Sequence, residues 1–462
     1  MGEVLWTSGT AFIIALVLTP IIRDIFHAYN LVDRPGFRKV HAYPIPRLGG
    51  ISIGIAYATA LARIPASVSD GEAILWKLLP GAGVILLTGI LDDFFGLTVR
   101  YKLVGQVAAA AIAFWSGLRI ETIAGVAVPI YLSSCITIFW LLLLMNALNL
   151  IDGLDGLCAG MGFVAAAALY AVALSEGNVS LEHAMLPLIA ALLGFLFHNF
   201  NRATMFLGDS GALLIGFLIG CGGIMFAEHA TPLSTIVPIM AIAVPLMDVV
   251  LSVARRFLTN RPIFMADRGH IHHRLLDAGL SPPRAVLVLC LWAMAGAIFA
   301  ILATHPFWQP WLAFIVLAFC ATAWAGVRQL RYSEFTVAAK LLIGGEFRKA
   351  VAGKVRIRNL ATALEQSKTE DEWWALLVTT AREAGWAGLL WTNDHSVRRE
   401  QVFPSQTTPA WTFNMALSEH ESLQIQGTLQ PVRPAVEIME FAQAVHGAFA
   451  ARRRAWERSG LS

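Results

Sequence analysis

The stretch ITIFWLLLLMNALNLIDGLDG, Ile136–Gly156, joins an apolar run directly to a cluster of amides and carboxylates. Short polar motifs interrupt an otherwise apolar chain in the same way elsewhere. They are PRLGG at 46–50, LDDFFGL at 91–97, FLGDSG at 206–211, the pair RR at 255–256 and DRGHIHHRL at 267–275. Ionisable groups at the boundary of an apolar helix are costly and usually functional. The pattern therefore predicts a membrane protein whose polar chemistry lies at the ends of its helices.

The composition supports a membrane protein for most of the chain. Of the 462 residues, 57% are hydrophobic and 14% are charged, which excludes a soluble globular protein over most of the length. Apolar runs that approach the roughly 20 residues needed to cross a bilayer recur about eleven times. They lie near 4–22, 48–65, 74–91, 103–118, 129–149, 157–174, 184–199, 211–227, 233–253, 284–304 and 308–327. We predict an all-α polytopic membrane protein with about eleven transmembrane helices. A net charge of only +3 gives no indication of nucleic-acid binding.

Lys and Arg are concentrated in alternate loops between the apolar runs. The loops after the first and ninth runs carry most of them, namely Arg23, Arg34, Arg38, Lys39 and Arg47, and Arg255, Arg256, Arg261, Arg268 and Arg274. The loops at 67–73 and 175–183 contain acids and no Lys or Arg. Because loops rich in Lys and Arg stay in the cytoplasm, we predict an N-terminus outside and every motif loop at the cytoplasmic face. Carboxylates, amides and histidines at one face favour a reaction between a water-soluble molecule and a lipid.

The composition changes near residue 330, which divides the chain into a membrane domain, 1–332, and an accessory domain, 333–462. The second segment has no membrane-length apolar run, and we expect a small cytosolic α/β domain. Its pattern predicts a helix within 357–384, strands at 388–392 and 421–429, and a closing helix within 436–454. Four tryptophans are expected in its core: Trp373, Trp374, Trp386 and Trp391. No constellation of residues in it indicates a reaction, so its role is left open.

The polar motifs contribute oxygen-bearing side chains at short spacings. These are Asp92, Asp93, Asn146, Asn149, Asp152, Asp155 and Asp209. The two Asn residues and the pair Asp152 and Asp155 are each three apart, so on a helical turn each pair shares a side. Oxygen ligands of this kind suit Mg²⁺, which normally works with one or two protein oxygens and substrate phosphates. The DGLDG sequence lacks the ligand spacing and distal Glu of a calcium loop.

Three histidines, His270, His272 and His273, follow Arg268 in the last motif. A zinc site is the alternative interpretation, but no Cys or HExxH pattern supports it. Arginine and histidine donors beside a carboxylate cluster suit a pyrophosphate, because charge develops on its oxygens during transfer. Walker A, GxGxxG and GxSxG motifs are absent where they would be needed, which disfavours an ATP-driven or nicotinamide-dependent enzyme.

The ordered motifs resemble those of the polyprenyl-phosphate N-acetylhexosamine-1-phosphate transferases. The resemblance covers about the first 330 residues and is carried by LVDRPGFRKVHAYPIPRLGG, GILDDFFGL, YKLVGQ, NALNLIDGLDGLCAG, FLGDSGALLIGF and DRGHIHHRLLDAG. It implies transfer of a sugar phosphate from a UDP-sugar to undecaprenyl or another polyprenyl phosphate, with loss of UMP. It also implies Mg²⁺, with Mn²⁺ as a possible substitute, and a reaction at the cytoplasmic face of a bacterial inner membrane.

The resemblance also implies roles for the acids and amides at the reacting centre. Asp209 is similar to the principal Mg²⁺ ligand, and Asn149 to a second oxygen ligand. Asp92 resembles the group that deprotonates or orients the lipid phosphate, with Asp93 in support. Asp152 is grouped with these catalytic carboxylates.

A second set of residues is implied to contact substrate. Phe206 resembles the aromatic that stacks on uracil, and Asp155 the residue that reads the uracil edge. Lys102 is expected to contact phosphate or nucleotide, and Asn146 is grouped with the substrate contacts. The remaining members, Arg268, His270, His272 and His273, are implied to contact pyrophosphate and sugar.

Several alternatives stay open from the sequence. HIHH resembles the branch that uses UDP-N-acetylglucosamine and starts O-antigen, teichoic-acid or related glycans, and the phospho-MurNAc-pentapeptide transferases rank second. A covalent aspartyl intermediate at Asp92 competes with single displacement. A transporter, or a membrane sensor with a signalling domain, is the interpretation from another class. A homodimer is possible.

Overall fold

The computed structural model describes most of the chain as two compact units, Met1–Tyr332 and Ser333–Ser462. The described residues are 2–32, 44–64, 71–123, 125–228, 236–258, 269–305, 307–330, 357–367, 369–383, 386–393, 396–403, 411–418, 420–427, 438–439 and 441–450. Arg268, a predicted site residue, lies outside them.

The first unit is almost entirely helical, as expected for apolar segments that must satisfy their backbone groups internally. Its helices are α1 (Gly2–Ala28), α2 (Gly49–Leu61), α3 (Gly71–Phe95), α4 (Val99–Trp115), α5 (Ile130–Ile151), α6 (Leu157–Glu176), α7 (Val179–Asn199), α8 (Gly208–Ala227), α9 (Val237–Ala241), α10 (Ala243–Leu258), α11 (Ile271–Asp277), α12 (Pro282–Thr304) and α13 (Leu312–Gln329). Between α4 and α5, β1 (Thr122–Ile123) pairs antiparallel with β2 (Val126–Ala127).

Eight of the described helices are long and apolar enough to cross a membrane: α1, α3, α5, α6, α7, α8, α12 and α13. The count of eleven is therefore not confirmed. The predicted second and fourth spans form helices of only 13 and 17 residues, about 20 and 26 Å long at 1.5 Å per residue. The predicted ninth span is broken at Ile242 into α9 and α10. One side of α10 is polar, because it carries the buried residues Asp248, Ser252 and Arg255.

Helix α8 is the centre of the first unit. Almost every residue from Gly208 to Phe226 is buried, and α2, α3, α5, α6 and α7 all pack against it. Its sequence GDSGALLIGFLIGCGGIMFA contains six glycines, and small residues allow close approach of helices in a membrane. Since the FLGDSG motif forms the first turn of α8, this packing fixes the position of Asp209.

Helix α3 approaches α8 closely at Gly89. A Cβ built on Gly89 would lie 2.3 Å from Cα of Ser210, whereas one on Gly83, in the same helix, would meet nothing within 4 Å. Only a residue without a side chain permits the observed separation of α3 and α8 at Gly89.

The second unit is built around a four-stranded antiparallel sheet of order β4-β3-β6-β5. The strands are β3 (Gly388–Asn393), β4 (Ser396–Val402), β5 (Trp411–Ala416) and β6 (Glu421–Gly427). Helices lie at 357–366, Glu370–Glu383 and 441–450. Trp373, Trp386 and Trp391 are buried in its core, and Trp374 is partly buried against it. The antiparallel pairing makes this unit an α+β arrangement.

Two strands of this sheet were not predicted. β4 is rich in charge, SVRREQV, and these charges find partners only in the folded unit. Arg398 binds Glu421 at 2.6 Å, and Arg399 binds Asp371 at 2.6 Å. The guanidinium of Arg398 also lies 5.0 Å from the ring centre of Trp391. Tertiary ion pairs therefore stabilise a strand whose hydrophobic pattern is weak.

Replacing Gly89 with Ala should lower the thermal stability of the purified protein in detergent, because overpacking typically costs about 1–3 kcal/mol. Gly83→Ala is the matched control and should leave stability unchanged or slightly raised, since Ala favours helix over Gly. Equal melting temperatures for the two variants would contradict a tight contact between α3 and α8.

Candidate active site

A cavity of about 590 Å³ opens among the ends of the helices of the first unit. This volume is typical of a small-molecule site. Its lining includes residues from five separate connections between helices: Arg47, Asp92, Asp93, Gly96, Asn149, Asp152, Gly153, Leu154, Asp155, Asn199, Phe206, Leu207, Gly208, Asp209, His273 and Pro282. Motifs far apart in sequence therefore meet at one place.

Asp93 joins the end of α3 to the start of α8. Its Oδ1 accepts a hydrogen bond from the backbone N–H of Asp209 at 2.8 Å, and its Oδ2 accepts one from Ser210 at 3.0 Å. The first amides of a helix have no partner within the helix, and a carboxylate there also interacts favourably with the helix dipole. Asp93 therefore fixes the backbone that carries Asp209.

The PRLGG and FLGDSG motifs are joined by backbone hydrogen bonds. The N–H of Phe206 donates to the carbonyl of Pro46 at 2.8 Å, and the N–H of Gly49 donates to the carbonyl of Phe206 at 3.0 Å. Gly208 has φ +74°, and a Cβ there would lie 1.7 Å from the carbonyl oxygen of Arg47. Glycine is required at this position, and the arrangement brings the Phe206 side chain to the cavity.

Lys102, at the start of α4, lies among three oxygens from three helices. Its Nζ is 2.7 Å from Oδ2 of Asp92, 2.8 Å from Oδ2 of Asp209 and 3.3 Å from Oδ1 of Asn149. The Asn149 amide also donates to Asp209. These oxygens thus converge on a position that suits a cation.

The oxygens of Asp209 and Asn149 fit a Mg²⁺ ion held jointly with substrate. No group of three or more His, Cys, Asp or Glu side chains among the described residues is arranged to hold a metal by itself. Mg²⁺ does not require one, because it commonly takes one or two protein oxygens and completes its shell with phosphates and water.

The segment after α5 is held to the loop before α8. Oδ2 of Asp155 accepts a hydrogen bond from the N–H of Ala203 at 2.9 Å. The Asn199 side chain accepts from the N–H of Gly156 at 3.0 Å and donates to the carbonyl of Met205 at 2.9 Å. Burial raises the pKa of Asp152 to about 8, and negative Asp209 and Asp93 add to the shift. The Asp152 carboxyl therefore holds a proton near neutral pH.

The three predicted histidines have different surroundings. His273 lines the cavity, whereas His270 and His272 are buried behind it. The His272 and His273 rings are 4.2 Å apart, and His270 stacks on His272 at 5.9 Å with 5° between the planes. Only His273 is placed to contact a ligand in the cavity.

Asn146 also lies away from the cavity. Its amide donates to Oε1 of Gln106 at 2.9 Å and to the carbonyl of Leu142 at 2.7 Å. It links α5 to α4, so its contacts are with protein rather than with the cavity.

Three residues of this region were not predicted as site residues. Arg47 lies in the PRLGG motif but was given a role only in the topology, and Asn199 lies in no recognised motif. Asp248, on α10, accepts from the His270 ring and from the N–H of Ile271, each at 2.8 Å. The general rule that an acid within an apolar span is functional would have identified Asp248, since it lies in the predicted ninth span.

The sequence is similar to known phosphotransferases. Residues 75–227 match glycosyl transferase family 4. A probable undecaprenyl-phosphate N-acetylglucosaminyl 1-phosphate transferase of Bacillus subtilis (strain 168) is 36% identical over 304 residues, which cover 63% of this chain and 82% of the relative. A decaprenyl-phosphate N-acetylglucosaminephosphotransferase of Mycolicibacterium smegmatis is 34% identical over 318 residues, with 61% and 78% covered. An undecaprenyl-phosphate alpha-N-acetylglucosaminyl 1-phosphate transferase of Escherichia coli (strain K12) is 30% identical over 344 residues, with 67% and 89% covered.

The burial of His272 generates a prediction about stability at acid pH. Burial lowers its pKa from 6.5 to about 4, and positive charge on His273 and His270 adds to the shift. Between these values the unfolded chain binds a proton that the folded chain does not, so stability is lost as pH falls from about 6.5 toward 4. The contribution lost by pH 5 is about 2 kcal/mol.

The measurement is the thermal stability of wild type and His272→Gln in detergent at pH 7.5 and pH 5. The variant should lose less stability than wild type over this interval. Asp152 acts in the opposite direction, because its raised pKa adds stability as pH falls, so only the difference between the two proteins tests His272. An equal loss in both would show that His272 does not titrate in this way.

Proposed function

The chain belongs to the polyprenyl-phosphate N-acetylglucosamine-1-phosphate transferases of glycosyl transferase family 4, and we propose that it transfers N-acetylglucosamine 1-phosphate from a UDP-sugar to undecaprenyl or another polyprenyl phosphate. UMP is released, and the lipid-linked product starts synthesis of a cell-surface glycan. The names of the three relatives all contain N-acetylglucosamine, which supports this sugar over phospho-MurNAc-pentapeptide.

The observation that carries the proposal is the convergence of five connecting segments on one cavity. Its lining combines carboxylates, two amides, an aromatic ring, an arginine and a histidine. A nucleotide needs an aromatic surface and hydrogen-bond partners, whereas two reacting phosphates need cationic donors and metal ligands. Phe206 and Asp155 are suited to the uracil, and Arg47 and His273 to the phosphates or sugar.

In the proposed reaction an oxygen of the lipid phosphate attacks the sugar-linked phosphorus of the UDP-sugar. A new P–O bond forms as the P–O bond to UMP breaks, and UMP leaves with the bonding electrons. A phosphate is largely ionised near neutral pH, so positioning and electrostatic stabilisation contribute more than removal of a proton. This favours a single displacement over an aspartyl intermediate.

Asp92 is suited to orienting the acceptor phosphate through Lys102. Its Oδ1 accepts from the N–H of Leu97 at 2.8 Å, and its Oδ2 binds the Lys102 ammonium at 2.7 Å. The carboxylate is thus held on both sides, and the ammonium it positions can bind a phosphate oxygen. Asp93 acts indirectly, by fixing the backbone of Asp209 and Ser210.

Asp209 and Asn149 would hold Mg²⁺, or Mn²⁺ in its place, which when bound offsets negative charge on the pyrophosphate. Five acidic side chains line the cavity, namely Asp92, Asp93, Asp152, Asp155 and Asp209. Those that are ionised would repel two anionic substrates without a divalent cation. Lys102, Arg47 and His273 supply the remaining positive or donor groups.

We place the cavity at the cytoplasmic face of a bacterial inner membrane, with the N-terminus outside and unit 333–462 in the cytoplasm. The ends of α1, α3, α5 and α7 and the starts of α2, α4, α6 and α8 all lie near the cavity-lining segments. Helices α2, α4, α6 and α8 therefore leave the cavity end, and α3, α5 and α7 return to it. This supports counting the short helices α2 and α4 as crossings.

The direct test of function is an assay with purified protein, radiolabelled UDP-N-acetylglucosamine and undecaprenyl phosphate. UMP and a labelled lipid should form together, and chelation of divalent cations should stop the reaction. Turnover of UDP-MurNAc-pentapeptide alone would replace the proposed sugar. Absence of turnover, with a ligand-dependent change in unit 333–462, would favour a membrane sensor.

Asp209→Asn should reduce turnover by about two orders of magnitude or more, because a charged ligand of the metal and a partner of Lys102 is lost. The variant should keep its melting temperature, since the backbone N–H that binds Asp93 remains. Asp277→Asn, an exposed acid on α11, is the control and should retain activity. Near-normal turnover of Asp209→Asn would remove this residue from the metal site.

The proposed topology is tested with reporter fusions at the C-terminus. An odd number of crossings places the two termini on opposite sides, whereas eight crossings would place them on the same side. A green fluorescent protein fused after Ser462 should fluoresce, and alkaline phosphatase at the same position should be inactive. A reporter at the N-terminus should give the opposite pair of results, and matching results at both ends would overturn the eleven-crossing topology.

A further inference from the structure

Asp248 is a buried acid that the proposed reaction does not use. It lies on α10 and is 1% exposed. Burying a carboxylate is costly unless it is paired and hydrogen-bonded. Both of its oxygens have partners in the histidine segment, 269–277: Oδ2 lies 2.8 Å from Nδ1 of His270, and Oδ1 accepts from the N–H of Ile271 at 2.8 Å.

These two bonds determine how α11 begins. His270 is the N-terminal flanking residue of α11 and makes no capping bond with its own side chain. Asp248, from another helix, satisfies the first amide in its place. As a carboxylate, Asp248 only accepts hydrogen bonds, so Nδ1 of His270 carries the hydrogen.

The rest of α11 connects the residues that Asp248 holds to the lining of the cavity. His272 is buried against the loop after α5, where a Cβ on Gly153 would lie 2.4 Å from Nε2 of His272. Gly153 and the next residue of α11, His273, both line the cavity. A rotation or shift of α11 would therefore move His273 and disturb the loop that carries Asp152 and Asp155.

We propose that Asp248 is a positioning residue for the sugar-nucleotide donor. Asp248 sets the orientation of α11, so that His273 and the Gly153 loop form the donor side of the cavity. The inference rests on the proposed function for the identity of the donor. The acceptor side differs, because Asp92 and Lys102 are held by α3 and α4 and make no described contact with α11.

The test compares Asp248→Ala, Asp248→Asn and the control Asp277→Ala, which removes an exposed carboxylate from α11 itself. Asp248→Ala should raise the KM for UDP-N-acetylglucosamine about tenfold or more and change the KM for undecaprenyl phosphate less than about twofold. Asp248→Asn should recover part of the loss, since its carbonyl can still accept from Ile271. Asp277→Ala should behave as wild type.

A double-mutant cycle with His273→Ala separates positioning from general destabilisation. If Asp248 acts by placing His273, then Asp248→Ala should have a much smaller effect on donor KM in the His273→Ala background. A general loss of stability would give the same fold-change in both backgrounds and raise both KM values, which would overturn the proposal. An unchanged donor KM in folded Asp248→Ala would overturn it as well.

Hydrogen–deuterium exchange across 269–277 provides a measurement without turnover. Asp248→Ala should increase exchange in this segment, and Asp277→Ala should not. If Asp248→Ala fails to fold, Asp248→Asn takes its place. A donor KM and a hydrogen–deuterium exchange rate in Asp248→Asn that both equal those of wild type would contradict the proposal. A wild-type protein that releases no UMP from any UDP-sugar would instead refute the proposed function, while the exchange result would still test the anchoring of α11.

Discussion

The carboxylate of Asp93 holds the first turn of α8 in place, and the arrangement of the cavity depends on this contact. A helix that begins among apolar segments needs partners for its first amides, and Asp93 supplies them for Asp209 and Ser210. Gly89, one turn earlier on α3, permits the close approach. Because α8 is packed on every side, a helix start fixed in this way determines where the Asp209 side chain lies.

Acids from different helices meet in the cavity, where few cationic side chains are present to balance their charge. Lys102 binds Asp92 and Asp209 together, while burial raises the pKa of Asp152 to about 8. Repulsion among carboxylates is relieved by a shared ammonium in the first case and by a retained proton in the second. In the proposed reaction a divalent cation would bind among the same oxygens and offset the charge of the anionic substrates, which would let an acidic cavity serve phosphate chemistry.

The structure brings some of the predicted site residues to the cavity and leaves others away from it. Asp92, Asp209 and Phe206 all line it. The two acids were selected because a polar motif between apolar runs is visible locally, whereas Phe206 was selected only through the family resemblance. Asn146 was grouped with the substrate contacts, but its amide pairs with Gln106, a neighbour on another helix. His270 and His272 share a motif with His273, yet both are buried, and of the three histidines it is His273 that lines the cavity.

The sequence by itself determined that the chain spans a membrane, that a separate unit follows near residue 330, and that its polar motifs resemble one family of transferases. These properties depend on the hydrophobicity of segments and on the order of the polar motifs along the chain. The tertiary structure decided which helices are short or broken, that β4 is held by ion pairs, and that Asp248 anchors the histidine segment. These depend on contacts between residues distant in sequence, whose partners no local pattern can specify.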